Sequence, residues 1–184
     1  FDGVMLDIEP YISDSWKENP EEYMDRYISC MKKGYKFTQK NHLRTAICIP
    51  RHYDNQGLTS GLEELIKETC DEVAVMNYSC GNEIEAIRTE AALSEKYGKE
   101  LHCILEFQEV GKHGLTENKT YRNKGIDNAK ETWYLLRESF ERYLQSADTI
   151  NYTEDMGVEN LRYYKEHMAP AHTLLSKLTL TERG

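Results

Sequence analysis

The chain of 184 residues is 39% hydrophobic and 30% charged, the composition of a soluble globular domain with a sizeable core. Its net charge is -9 and its dense basic spots, Lys32-Lys33 and Arg122 to Lys124, are short, so no nucleic-acid partner is expected. No apolar run reaches the roughly 18 residues of a membrane-spanning helix, so no membrane partner is expected either.

Phe1 opens directly into a strand-like run, which reads as a chain whose N-terminal sequence is missing. The location of the protein therefore stays open. The five cysteines are widely spaced without a C-x-x-C pair, indicating neither a zinc site nor a disulfide framework. Cys48 and Cys103 lie in strand-like runs and read as core thiols. No cofactor and no metal are expected.

In chain order, the run 3–9 (GVMLDIE) reads as the first strand. Val4, Leu6 and Ile8 share one face, and Gly3, Met5, Asp7 and Glu9 the other. A helix follows over about 19–40, opened by Asn19, Pro20 and two early glutamates. Residues 44–49 (RTAICI) read as a strand stopped by Pro50, and 60–70 as a helix with Leu62, Leu65 and Ile66 at helical spacing. Three more pairs follow: strand 72–78 with helix 82–97 closed by Gly98; strand 101–107 with helix 126–146; and strand 149–153 with helix 157–167. The loop 109–124 is long enough to serve as a lid or to be a surface loop. Residues 169–184 read as a polar tail.

Five strands alternating with five helices predict an α/β fold with a parallel sheet. No Gly-x-Gly-x-x-Gly or P-loop run follows any strand, which favours a partial (β/α)8 TIM barrel over 1–168 rather than a nucleotide-binding doubly wound sheet. Barrel active sites lie at the C-terminal ends of the strands. Asp7 and Glu9, Asn77 and Tyr78, and Glu106 all end strands, so they are expected on one rim. Inward parity adds His102 beside Glu106. Tyr11 and Trp16, after the first strand, could stack on a sugar face.

The run FDGVMLDIEP resembles the fourth-strand signature of glycoside hydrolase family 18, the chitinase-like barrels, F-D-G-x-D-x-D-x-E. Asp2, Gly3, Asp7 and Glu9 fall on that pattern, while Met5 stands where the family has an Asp. MNYS, from Met76 to Ser79, is similar to the family's M-x-Y-D, with Ser79 replacing the Asp. The I-E-P-Y ending brings the chain closer still to uncharacterised bacterial barrels named glycoside hydrolases by analogy. The resemblance implies that the chain supplies strands four to eight, the remainder of the barrel coming from the missing N-terminal sequence. The eighth-strand Trp of the chitinases has no counterpart in INYTEDM.

The resemblance further implies a glycoside hydrolase acting on a carbohydrate substrate. Glu9 would be the general acid, Asp7 would orient an N-acetyl group acting as nucleophile, and Tyr78 would support that group. Asp2, Tyr11, Trp16, Met76, Asn77 and His102 would line the binding site. Two adjacent carboxylates cannot both ionise cheaply, which helps one keep a proton. A second route within the same fold makes Glu106 the nucleophile of a retaining enzyme. The alternative from another class is a barrel that binds carbohydrate without cutting it, motivated by Met5.

Overall fold

The computed structural model describes residues 2–140. The last predicted strand and helix, the polar tail and the end of the helix predicted over 126–146 lie outside them. The described elements are β1 (Gly3–Asp7), α1 (Asp14–Glu18), α2 (Pro20–Lys40), β2 (Arg44–Pro50), α3 (Thr59–Thr69), β3 (Glu72–Met76), α4 (Glu83–Ala86), α5 (Arg88–Tyr97), β4 (Glu100–Ile104) and α6 (Gly125–Ser139). The expected alternation of strand and helix holds across this span.

The helix starts follow local chemistry. Asn19 caps α2 by accepting from the Glu22 amide and returning its own amide to the Glu22 carboxylate at 2.9 Å, with Pro20 in the first turn. The loop predicted after β1 is more ordered than its composition suggested. Ser13 caps the short α1 by accepting from the Trp16 amide at 3.2 Å. The single helix predicted over 82–97 is broken at Ile87, where φ of -122° and ψ of 16° leave the helical region. Ile87 is fully buried there, so core packing sets the break.

The four strands form one parallel sheet in the order β1-β2-β3-β4. Its rows align Met5, Ala46, Glu72 and Glu100, and then Asp7, Cys48, Ala74 and His102. Both rows share one face of the sheet, and strand alternation sends the intervening side chains to the other. Ile47, Ile49, Val73, Val75, Leu101 and Cys103 enter the main core with residues of the helices, among them Met24, Ile28, Leu62, Leu65, Ala91 and Trp133. The opposite face carries a smaller cluster of Cys48, Ala74, Met76 and Ile104, against which Tyr11 and Tyr78 pack. Cys48 and Cys103 are buried thiols, as their strand positions suggested. Among the described residues no helix is long and apolar enough to cross a membrane.

Gly3 has a steric reason to be glycine. A Cβ there would lie 2.7 Å from the Arg44 carbonyl oxygen, inside the β1–β2 ladder. Gly3→Ala should therefore push β1 off β2 and cost about 1–3 kcal/mol, the usual scale of an overpacked site. Urea denaturation checks this; an unchanged midpoint would mean that the strand end yields freely.

Candidate active site

At the C-terminal edge of the sheet the chain leaves β1 through Ile8 and Glu9 into a single 3-10 turn, Pro10–Ile12. Pro10 fixes the turn, and the turn brings Tyr11 back over its neighbour, so that the Tyr11 hydroxyl donates to the Glu9 carboxylate. A phenol both donates and accepts. Tyr11 can thus donate to an ionised Glu9 and accept from a protonated one.

The Tyr11 ring is fixed from two sides. Its edge meets His52 at 5.1 Å and Tyr53 at 6.1 Å between ring centroids. Tyr53 stacks on Trp16 at 5.5 Å. Burial, then the neighbouring Arg51, lowers the His52 pKa, with Asp54 opposing, which leaves a neutral imidazole near pH 7. Burial raises the Tyr53 hydroxyl above its ordinary range, and Tyr27 and the Glu9 carboxylate add to that rise.

Asp7 projects on the same sheet face as Met5 and is exposed, so it escapes the desolvation cost that a buried strand carboxylate would carry. Met76 and Tyr78 lie across the sheet from it, Met76 within the small apolar cluster and Tyr78 packed against it. Tyr11 packs against the same cluster. Cys48, Ala74, Met76 and Ile104 thus form an apolar floor that two tyrosines pack against, one of them hydrogen-bonded to Glu9.

Glu106 lies two residues beyond β4, half-buried, its carboxylate accepting from the Gln108 amide at 2.6 Å. The long loop is tied down around it. The Tyr121 amide donates to the Glu106 carbonyl at 2.8 Å, Thr120 donates to the Gln108 carbonyl at 2.7 Å, and Phe107 packs on Tyr121 at 5.8 Å. Tyr121 in turn donates to Glu83 of α4. The loop base is therefore part of the packed structure, and Lys112 pairs locally with Glu109 at 3.6 Å.

Four residues expected to bind substrate are held elsewhere. Trp16 is 4% exposed, its ring covered by Tyr53 within the main core. Asn77 is buried, its amide donating to the Glu83 carbonyl at 2.9 Å and to the Cys103 sulfur at 3.4 Å, which ties β3 to α4. Asp2 precedes β1 at the far end of the sheet, where its carbonyl accepts from the Arg44 amide at 3.0 Å. His102 turns to the N-terminal end of β3, its Nε2 lying 2.9 Å from Glu72. His52 was not singled out in the sequence, although its place two residues after Pro50 put it on the same edge as Glu9.

Protein-family models, curated proteins and solved structures yielded no match to this chain.

Proposed function

We propose that the chain is part of a (β/α)8 barrel that hydrolyses glycosidic bonds, with Glu9 as general acid. The observation that carries the reading is the Tyr11 hydroxyl on the Glu9 carboxylate at the C-terminal edge of a parallel sheet, the edge at which such sheets bind ligands. The sequential strand order supports the barrel, because a doubly wound sheet reverses its order and places helices on both faces. The small cluster between Tyr11 and Tyr78 supports a sugar as ligand: an apolar floor with polar margins suits a ring with one apolar face.

In this reading Glu9 gives its proton to the glycosidic oxygen as the bond from that oxygen to the anomeric carbon breaks. Two routes supply the nucleophile. Glu106 can attack the anomeric carbon and form a covalent glycosyl ester, which water then hydrolyses with Glu9 acting as base. Alternatively the carbonyl oxygen of a 2-acetamido group on the sugar attacks, oriented by Asp7 and supported by Tyr78. Strand axes about 4.8 Å apart put the ends of β1 and β4 about 14 Å apart along the sheet, a gap that two facing glutamate side chains narrow.

Turnover of paired aryl glycosides, with and without the 2-acetamido group, tests this reading. Hydrolysis of both kinds selects the Glu106 route, and hydrolysis confined to the acetamido sugars selects Asp7 and Tyr78. Retention on a glycan resin with no turnover of any substrate would overturn hydrolysis in favour of a carbohydrate-binding barrel, the alternative suggested by Met5 at 46% exposure in place of an Asp.

A further inference from the structure

A separate cluster lies at the N-terminal end of the same sheet face. Glu72 begins β3, Glu100 begins β4, and His102 follows two residues later with the same side-chain direction. Adjacent parallel strands bring them together: Glu72 and Glu100 are direct register partners. One carboxylate oxygen from each glutamate and one ring nitrogen of His102 all lie within 4.8 Å of one another. The Glu100-x-His102 spacing puts both residues on one strand face, but Glu72 joins them only through the fold.

Arg44 shapes this cluster without filling it. Its Nε donates to Glu72 Oε1 at 2.7 Å and its Nη2 to Glu100 Oε1 at 2.8 Å. The second Glu72 oxygen, Oε2, faces His102 Nε2 at 2.9 Å. Guanidinium on the outer oxygens is an outer-shell arrangement of the kind that orients carboxylate ligands. An imidazole nitrogen with two carboxylates is a ligand set suited to zinc and its first-row neighbours. With bonds of about 2.0–2.1 Å, the nitrogen-to-oxygen edge of a tetrahedral site is about 3.3 Å. The His102–Glu72 pair needs to open by only a few tenths of an ångström to reach it. The His102 side chain is 15% exposed and that of Glu72 19%, so the site is sheltered and still reachable.

We infer that Glu72, Glu100 and His102 form a site for a divalent transition metal, zinc or a close analogue, that cross-links β3 to β4. On binding, the ion replaces the hydrogen bond between His102 Nε2 and Glu72 Oε2, with His102 as the neutral imidazole that offers its Nε2 lone pair and keeps its ring proton on Nδ1. Three protein ligands leave a fourth position for water. The two carboxylates and Arg44 carry a net charge of -1, which a dication overcompensates by one. The site stands at the end of the sheet opposite the Glu9 rim, so it does not depend on the glycosidase reading.

The test is titration of the chelator-treated protein with cobalt(II), then with zinc, near neutral pH. The expected result is a visible d–d band with the intensity of a four-coordinate site, bleached by equimolar zinc, and a thermal midpoint that rises with zinc concentration. Glu100→Gln and His102→Ala should each weaken the metal by more than the roughly 10–100-fold that loss of an outer-shell partner costs. His113→Ala, on the exposed loop, should leave the titration unchanged. His102→Gln, closer in volume, covers the case in which the alanine variant fails to fold. No band at all, or one that survives both His102 variants, would overturn the site and leave a salt-bridge network around Arg44.

Discussion

Glu9→Gln should abolish most turnover of glycosides with poor leaving groups, by about 10²–10⁴-fold, the range that a positioned general acid contributes. The loss should shrink steeply as the leaving group improves. A dinitrophenolate departs without a proton, so the bond-breaking step on its glycoside, read from kcat/KM, should run in the variant at close to the parent rate. The alkaline limb of the pH–rate profile should vanish along with the loss, because that limb reports the group that donates the proton. Glycan affinity should persist, since glutamine keeps the shape of the side chain and a partner for the Tyr11 hydroxyl. Leaving-group dependence of the variant's kcat/KM separates the roles: an equal loss of kcat/KM on all substrates would make Glu9 the nucleophile instead. Unchanged turnover on every substrate would remove Glu9 from the chemistry.

The second large effect concerns stability. Glu90 lies on α5 with none of its surface exposed, and neither carboxyl oxygen has a hydrogen-bond partner among the other described residues. Burial pushes the carboxyl up from 4.5 to about 8, against the pull of its own backbone N–H; Asp54 adds to the rise and Arg51 opposes it. Because the folded value lies above the unfolded one, the folded chain holds a proton that the unfolded chain has lost throughout the window between them. Stability therefore falls as pH rises from about 4.5 to about 8, by at most about 1.4 kcal/mol per pH unit, and the loss is complete above that window. Glu90→Gln should flatten this slope, melting several degrees above the parent at pH 8 and close to it near pH 4.5. Thermal melts across the window decide the matter, and parallel profiles for the two proteins would show that Glu90 does not titrate there.

The strands were legible because parallel strands buried on both faces read as unbroken apolar runs, as in RTAICI and EVAVM. The start of α2 was legible because Asn19 and Pro20 carry its chemistry locally. The break at Ile87 was not, since nothing in the helical pattern of 82–97 marks a residue that the core pulls out of line. Trp16 misled for a related reason. A Trp in a polar loop resembles a sugar platform until Tyr53, from another loop, covers it. The Tyr11 hydroxyl on Glu9 went unread because Tyr11 was taken as a sugar platform, although only one residue separates the two, whereas Glu72 reaches His102 across the gap between two strands. Contacts made within a turn are written locally, and those made between strands depend on a register that the sequence does not display.

The clamped base of the 105–124 segment bears on how a ligand would arrive. With Phe107, Gln108, Thr120 and Tyr121 buried and Glu106 held through its own backbone, this part of the proposed site has its shape before anything binds. A guest then has little chain to immobilise, and less of its interaction energy is lost to ordering the host. Encounter and desolvation, rather than closure of this wall, would set the pace of association.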